Sequence, residues 1–190
     1  MGRRILFIGP PGAGKGTQAA LLSRTLGVPH ISSGDMLREA VAEGTELGKQ
    51  AGALMTTGDL VPDDLVVAMV AQRLAKDDAA CGFLLDGFPR NLEQADALDR
   101  SVGSNAIGIV VLLTVDDDEL VHRIMQRAVI AGRSDDSEET IVRRLEVFRS
   151  ETEPLLKYYP EHGVPTVTVD GSGSVEDVFS RIVMALATER

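Results

Sequence analysis

The most informative stretch of this sequence is Gly9-Pro10-Pro11-Gly12-Ala13-Gly14-Lys15-Gly16-Thr17. The apolar run Ile5-Leu6-Phe7-Ile8 precedes it, and a helical pattern begins at Gln18. Strand, glycine-rich loop and helix in this order are typical of a phosphate-binding loop. Glycines let the backbone turn its N–H groups inward, and the helix adds the positive end of its dipole. The stretch therefore predicts a site for the phosphates of a nucleoside triphosphate, with Lys15 reaching the outer ones.

A magnesium ligand is expected beside this loop. The loop departs from the general Walker pattern, because Gly16 follows Lys15 and the hydroxyl arrives one residue later, at Thr17. The usual hydroxyl ligand for Mg²⁺ is therefore shifted or missing. Asp86 follows the apolar run Phe83-Leu84-Leu85, and a carboxylate at this place in a sheet can hold Mg²⁺ through water against the phosphates.

Short apolar runs alternate with helical patterns along the whole chain, which predicts an α/β fold. The runs are continuous rather than alternating, as is typical of strands covered on both faces. We expect one domain over residues 1–190, a P-loop three-layer sandwich with a five-stranded parallel sheet. The predicted strands are Ile5–Ile8, His30–Ser32, Phe83–Leu85, Ile109–Leu113 and Thr166–Val169. Ligands of such sheets bind beyond the carboxyl ends of the strands, where the polar motifs of this chain fall.

Residues 32–61 have the pattern of an inserted helical lobe. Ser32 or Ser33 is placed to cap a first helix that Gly44 ends, and a second helix is predicted over Glu46–Thr57. The stretch contains no strand after Ser32, so we expect the lobe to lie off the edge of the sheet.

Composition narrows the classes of partner. The net charge of −10 argues against a broad nucleic-acid surface, which needs a basic face. A single cysteine, Cys81, excludes an intramolecular disulfide and a multi-cysteine zinc site, and we expect it to be a small core residue. No run reaches the roughly 18 apolar residues of a membrane span. We expect a cytoplasmic monomer that binds neither nucleic acid nor membrane.

Four arginines in the second half of the chain form a second group of candidate site residues. Arg123 and Arg127 are four residues apart on one predicted helix and share a face, Arg133 follows in a loop, and Arg144 lies on the next helix. A solvated surface explains any one of them alone. Together with Lys15, however, they are suited to neutralise the charge of a phosphoryl group in transfer.

Four motifs in order resemble the adenylate kinase family, within the nucleoside-monophosphate kinases. They are the stretch at 9–17, Ser33-Gly34-Asp35-Met36-Leu37-Arg38, Asp86-Gly87-Phe88-Pro89-Arg90, and Gly132-Arg133-Ser134-Asp135-Asp136. The resemblance covers residues 4 to about 187, and Gly16-Thr17 is itself the form the family uses. It implies the reaction MgATP + AMP ⇌ 2 ADP, a core sheet, an AMP-binding lobe at 32–61 and a short lid at 126–136.

The resemblance also implies roles for individual residues. The residues implied for ATP are Gly12, Ala13, Gly14, Lys15, Gly16, Thr17, Arg127 and Gly173. The residues implied for AMP are Ser33, Arg38, Asp59, Leu60, Val61, Gly87, Phe88, Pro89, Arg90, Gln94, Arg133 and Arg144. The residues implied for catalysis are Lys15, Arg90, Arg123, Arg133 and Arg144. Asp86 is implied for Mg²⁺ through water, and no zinc is expected.

Two features depart from the family pattern, one residue and the length of one segment. Ser33 stands where the family usually has Thr, but the hydroxyl remains. Only five residues separate Arg127 from Arg133, where relatives with a long lid carry a small β domain.

Two alternative functions remain open at this point. A UMP/CMP kinase shares the short lid, but such relatives tend to have Ala and Asn where this chain has Ser33 and Gln94. The Gln94 amide can donate and accept a hydrogen bond, which matches the N1/N6 edge of adenine. A non-catalytic nucleotide sensor would be expected to lack Lys15, Asp86 or a phosphate arginine, and this chain keeps all of them.

Overall fold

The computed structural model describes residues 4–103, 106–131 and 138–189. Five strands form one parallel sheet in the order β2-β3-β1-β4-β5. The strands are β1 (Arg4–Ile8), β2 (His30–Ser32), β3 (Phe83–Asp86), β4 (Ile109–Thr114) and β5 (Thr166–Asp170). The predicted α/β fold, the five predicted strands and their parallel arrangement are confirmed.

Helices cover both faces of this sheet, which is why its strands are apolar throughout. Leu6 and Ile8 belong to one core cluster and Ile5 and Phe7 to the other, and none of the four is more than 2% exposed. Alternate residues of a strand point to opposite faces, so β1 supplies both cores from consecutive side chains. Its central position fixes the glycine loop in the middle of the sheet edge.

The helices of the described ranges follow in chain order. They are α1 (Lys15–Leu26), α2 (Ser33–Ala42), α3 (Glu46–Thr57), α4 (Asp63–Leu74), α5 (Leu92–Val102), α6 (Asp117–Ala131), α7 (Glu138–Val147), α8 (Leu155–Glu161) and α9 (Val175–Thr188). A short 3-10 turn lies at Asp77–Ala79, and a π-helical turn at Phe148–Thr152 continues α7.

Helices α2 and α3 follow β2, and both lie within residues 32–61. Ser32, not Ser33, is the N-cap of α2, because its side chain accepts a hydrogen bond from the backbone N–H of Asp35. Thr45 caps α3 in the same way through Gly48, and Gly58 ends α3 in the left-handed region. Two capped helices joined by a short turn pack against each other without any strand, as the sequence indicated. Whether residues 32–61 move as one lobe stays a prediction.

The expectation that Cys81 is a core residue was wrong: its side chain is exposed, because the turn after Asp77–Ala79 ends only where burial begins at Gly82. Helix α6 runs through Ala131, so the first residues of the predicted lid at 126–136 are helical. Residues 132–137 lie outside the described residues.

Candidate active site

A cleft of about 960 Å³ opens at the carboxyl ends of the strands. The glycine loop, Asp86, Arg123 and the β5–α9 turn line it. A second, much smaller pocket adjoins it beneath α2 and α3. The residues that line both cavities are Gly34, Arg38, Gly58, Gly87, Arg90 and Arg144. The two cavities therefore meet at a shared wall that contains three guanidinium groups.

The glycine loop adopts a backbone that requires glycine at its centre. Gly12 has φ +87°, and a Cβ there would lie 2.9 Å from Ile124 Cγ1. Gly14 is the N-cap of α1 with φ +90°, so the first N–H groups of the helix open into the cleft without a side-chain cap. This open helix N-terminus is suited to phosphate.

Lys15 is bound to its own loop in this structure. Its Nζ donates to the carbonyl oxygens of Gly9 at 2.6 Å and Pro10 at 2.9 Å. Those contacts hold the ammonium at the mouth of the loop, where anionic oxygen atoms would compete for it. Thr17, whose hydroxyl follows one residue late, lines the same cleft and is exposed.

Asp86 ends β3 and is enclosed by its neighbouring strands. It pairs with Phe7 in β1 and Ser32 in β2, and it is 9% exposed. Its Oδ2 lies 3.5 Å from His30 Nε2 and 3.5 Å from where a Cβ of Gly16 would stand. The sheet thus brings this carboxylate to the glycine loop, as expected from the sequence.

The turn after Asp86 positions Arg90. The Phe88–Pro89 peptide bond is cis, and Gly87 has φ +76°. The Gly87 carbonyl accepts hydrogen bonds from Arg90 Nε at 2.8 Å and from Ser33 Oγ at 2.6 Å. Phe88 is 1% exposed and packs in the core, so any contact that it makes with a ligand is through its backbone.

Electrostatics mark the wall between the two cavities as a site for an anion. Burial and then repulsion by Arg144 lower the pKa of the Arg90 guanidinium, and Arg38 adds further repulsion. Asp86 acts in the opposite direction. Arginine stays charged even so, because its ordinary pKa exceeds about 12. Three cations that repel one another around a cavity are suited to bind phosphate.

The other predicted arginines lie on α2 and α6 or beyond the described part. Arg123 spans from α6 to the β5–α9 turn: Nη1 donates to the Gly171 carbonyl at 3.0 Å and Nη2 pairs with Glu119 at 2.5 Å. Arg38 pairs with Asp35 on α2. Arg127 belongs to α6, but its side chain lies outside the described part of the structure, and Arg133 lies outside the described residues altogether.

The smaller pocket contains the remaining residues predicted for a monophosphate. Leu60, Val61 and Gln94 line it, together with Asp59. The Asp59 carboxylate turns to Arg143, whose Nε donates at 2.8 Å, and this hydrogen bond lowers the pKa of Asp59.

The turn between β5 and α9 closes the far side of the large cleft. Gly173 has φ +99°, and Ser174 caps α9. Arg181 Nη1 donates to the carbonyls of Asp170 at 2.8 Å and Ser172 at 2.7 Å. Arg181 thus holds the turn, and Gly171, Gly173 and Ser174 line the cleft. The position of Gly173 beside a nucleotide stays a prediction.

Sequence reasoning missed several residues that the fold brings to the site. Gln18 lies in the helical pattern, yet its Nε2 donates from α1 to the carbonyl oxygen of Val175 in α9 at 2.9 Å. Thr152 Oγ1 donates to the Arg90 carbonyl at 2.7 Å from the π-helical turn. Asp63 and Asn91 both form hydrogen bonds with Gln94 of the smaller pocket, although in the sequence they have only the pattern of residues at the start of a helix. No local signal distinguishes them, because their partners are distant in sequence.

A glycine loop before a helix, a buried carboxylate beside it and two adjoining cavities lined by arginines are the features of a P-loop phosphotransferase. A family model described as adenylate kinase matches residues 7–164. The chain belongs to the adenylate kinase family.

Relatives named adenylate kinase agree over nearly the full length of both chains. The chain is 50% identical to the protein of Thermobifida fusca over 185 residues, which is 96% of this chain and 97% of the relative. It is 50% identical to that of Thermus thermophilus over 189 residues, 98% of each chain. It is 49% identical to that of Synechococcus sp. WH7803, covering 98% of this chain and 100% of the relative. In the described ranges, no helix is both long and apolar enough to cross a membrane.

Proposed function

We propose that this protein transfers the terminal phosphoryl group of MgATP to AMP, giving two ADP, as a cytoplasmic monomer. The observation that carries the proposal is the wall shared by the two cavities, where Arg38, Arg90 and Arg144 line both. If one nucleotide lies in each cavity, the phosphoryl group is transferred where the cavities meet, beside these three arginines. Family membership and the names of the relatives support the same reaction.

The large cleft is the proposed ATP site. The backbone of Gly12–Thr17 and Lys15 would hold the phosphates, Arg127 would contact ATP, and Gly173 would lie by the base. The open N-terminus of α1 supports this assignment, because its N–H groups have no side-chain cap.

The smaller pocket is the proposed AMP site. Apolar side chains line it from α2, α3 and α4, and its polar lining side chains are those of Ser33, Arg38, Asp59, Arg90, Gln94 and Arg144. The proposed contacts are Ser33, Arg38, the backbone of Asp59–Val61, the Gly87–Arg90 turn, Gln94, Arg133 and Arg144. An apolar slot with few polar groups is suited to a flat base.

In the proposed reaction, an oxygen of the AMP phosphate attacks the terminal phosphorus of ATP. The bond from that phosphorus to the bridging oxygen breaks, and ADP leaves with the electron pair. The attacking oxygen is already anionic, so no general base is required. The protein contributes in-line positioning and compensating charge, through Lys15, Arg90, Arg123, Arg133 and Arg144. Closure of the lobe at 32–61 and the lid at 126–136 would exclude water, which otherwise would accept the phosphoryl group.

The residues of the cleft fit a magnesium ion bound together with ATP. Asp86 offers a buried carboxylate beside the glycine loop, and Thr17 offers a hydroxyl in the same cleft. Within the described ranges, no three His, Cys, Asp or Glu side chains gather, so phosphate and water would supply the other ligands. Asp86 would hold the ion through water. When bound, Mg²⁺ supplies positive charge to the phosphate oxygens.

The proposal that the protein is a monomer is supported by the scattered distribution of apolar side chains on its surface. The exposed large hydrophobic residues of the described part are Val41, Leu92, Met125, Val142, Val175, Val183 and Met184. They are spread over five helices, as is ordinary for a monomer. Light scattering coupled to gel filtration at micromolar concentration should give a mass near 20.3 kDa.

Formation of ADP from MgATP tests the reaction directly. AMP, CMP, UMP and GMP are offered separately, beside ATP alone. We expect strong turnover with AMP and only background with ATP alone. Turnover with CMP or UMP instead would assign the protein to the pyrimidine kinases. Binding of ATP without transfer to any acceptor would indicate a nucleotide sensor.

A further inference from the structure

The amide of Gln94 is the polar side chain that faces the apolar part of the smaller pocket from α5. Gln94 is 1% exposed, and Leu37, Met55 and Val66 line the pocket with it. A buried amide in an apolar slot recognises a ligand by the order in which it presents its donor and its acceptor.

Two contacts with protein determine that order. The backbone N–H of Arg90 donates to Gln94 Oε1 at 2.8 Å, and Gln94 Nε2 donates to Asp63 Oδ1 at 2.7 Å. A backbone N–H can only donate, and a carboxylate oxygen can only accept. A flipped amide would face donor with donor at Arg90 and acceptor with acceptor at Asp63. One orientation alone satisfies both ends.

Asp63 is itself held in place. Asn91 Nδ2 donates to its two carboxylate oxygens at 3.1 and 3.0 Å, and Asn91 Oδ1 accepts from the backbone N–H of Gln94 at 2.8 Å. The first residue of α4 and the N-cap of α5 thus form a closed network around Gln94. This network joins elements about thirty residues apart, at separations of 28 and 31.

The network leaves Gln94 with a defined pair of hydrogen-bonding sites for a ligand. A glutamine amide has two N–H groups and two acceptor sites on oxygen, and the two contacts use one of each. Adenine presents an N6–H donor beside the N1 acceptor. A 6-oxopurine presents an O6 acceptor beside an N1–H donor, in the reverse order. The same base position therefore requires opposite orientations of the amide for the two kinds of purine.

We infer that Asp63 is a positioning residue that fixes the Gln94 amide in the orientation complementary to adenine, and so sets the preference for adenine over 6-oxopurine monophosphates. The inference rests on the proposed function, because it concerns the acceptor base of that reaction. Asp63 acts through Gln94 and is not assigned any contact with substrate.

The variant Asp63→Asn tests this role. An amide at position 63 can donate to the oxygen of a flipped Gln94 amide, so one of the two mismatches of that orientation is removed, while the mismatch with the Arg90 N–H remains. We expect the ratio of kcat/KM for AMP to that for IMP to fall by roughly tenfold, since a mispaired buried polar group is the source of such discrimination. The KM for ATP should not change. Asp64→Asn, an equal charge change at the exposed next residue of α4, is the matched control and should keep the wild-type ratio.

A double-mutant cycle separates positioning from a general effect on folding. Asp63→Asn is made also in the Gln94→Ala background, where no amide remains to orient. If Asp63 acts through Gln94, the AMP/IMP ratio of the Gln94→Ala protein does not change further. A fall of equal size in both backgrounds overturns the inference, and so does an unchanged ratio in Asp63→Asn alone. Absence of AMP turnover in the wild-type protein would instead overturn the proposed function, and the two failures are therefore distinct.

Discussion

Replacement of Gly48 by alanine is predicted to destabilise the protein sharply. Gly48 lies in the first turn of α3, where the helix crosses α2. A Cβ at this position would lie 2.0 Å from the carbonyl oxygen and 2.4 Å from the carbonyl carbon of Ala40. Both atoms are backbone, so no side-chain rotation relieves the overlap. Helix α3 has to move away from α2 by roughly 1 Å or more before the contact becomes an ordinary one.

The change in the free energy of unfolding has three contributions, of which two lower the stability and one raises it. Forced overlap in a packed region costs roughly 1–3 kcal/mol. Displacement of α3 also weakens the cap in which Thr45 Oγ1 accepts from the Gly48 N–H at 3.0 Å, worth about 1 kcal/mol. Alanine returns about 1 kcal/mol through its higher helix propensity. The free energy of unfolding should fall by about 1–3 kcal/mol, which lowers Tm by roughly 2–12 °C in a chain of this size.

Gly52→Ala is the matched control, one turn further along α3. Its nearest neighbours would be Val41 Cγ2 at 3.7 Å and Cγ1 at 3.8 Å, which are ordinary contacts. We expect this variant to be stabilised by up to about 1 kcal/mol. Calorimetry measures both values of Tm, and initial rates measure KM. The KM for AMP should rise in Gly48→Ala while the KM for ATP changes little. Equal Tm values for the two variants would refute the reasoning.

Three further predictions concern single side chains. Arg90→Ala should lower kcat with AMP by roughly 10²–10³-fold, because a preorganised charge beside the transferred phosphoryl group is lost. Arg100→Ala, at an exposed position of α5, is the control. Near-normal turnover in Arg90→Ala would contradict the role of Arg90. Thr152→Val removes the donor to the Arg90 carbonyl and should cost about 1–2 kcal/mol in urea unfolding, whereas Thr152→Ser should keep most of that stability. Asp99→Asn should stabilise the protein more at pH 7 than at pH 4. Burial and then Asp96 raise the pKa of Asp99 in the folded state, so the wild-type protein loses stability as pH rises through that pKa and the variant does not. A gain that is the same at both pH values would show that the titration of Asp99 is not its source.

The sequence alone determined the features that depend on local patterns. A strand, glycines and a helix in immediate succession predicted the phosphate loop, and the structure has α1 beginning at Lys15 after Gly14. Apolar runs predicted the five strands, because a strand buried on both faces must be apolar at every position. The predicted bounds of the second helix, Glu46–Thr57, are those of α3 in the structure, because a helix end must satisfy its own backbone groups locally.

Tertiary structure decided what depends on contacts between distant residues. The exposure of Cys81 follows from where the turn before β3 ends, and an apolar neighbourhood in sequence does not show that. Gln94 was predicted to recognise the base, but its two protein contacts, with Arg90 and Asp63, appear only when α4 and α5 come together. The wall shared by the two cavities likewise combines residues from α2, the turn after β3 and α7.

One physical reason separates the features that the sequence determines from those that only the tertiary structure decides. Propensity, capping and periodicity act between residues a few positions apart, so the chain shows them directly. A hydrogen bond such as that from Gln94 to Asp63 joins residues 31 positions apart, and its existence depends on how the sheet orders its strands. The sequence therefore determined the elements and the phosphate loop, and the packing of those elements decided which side chains meet and in which orientation.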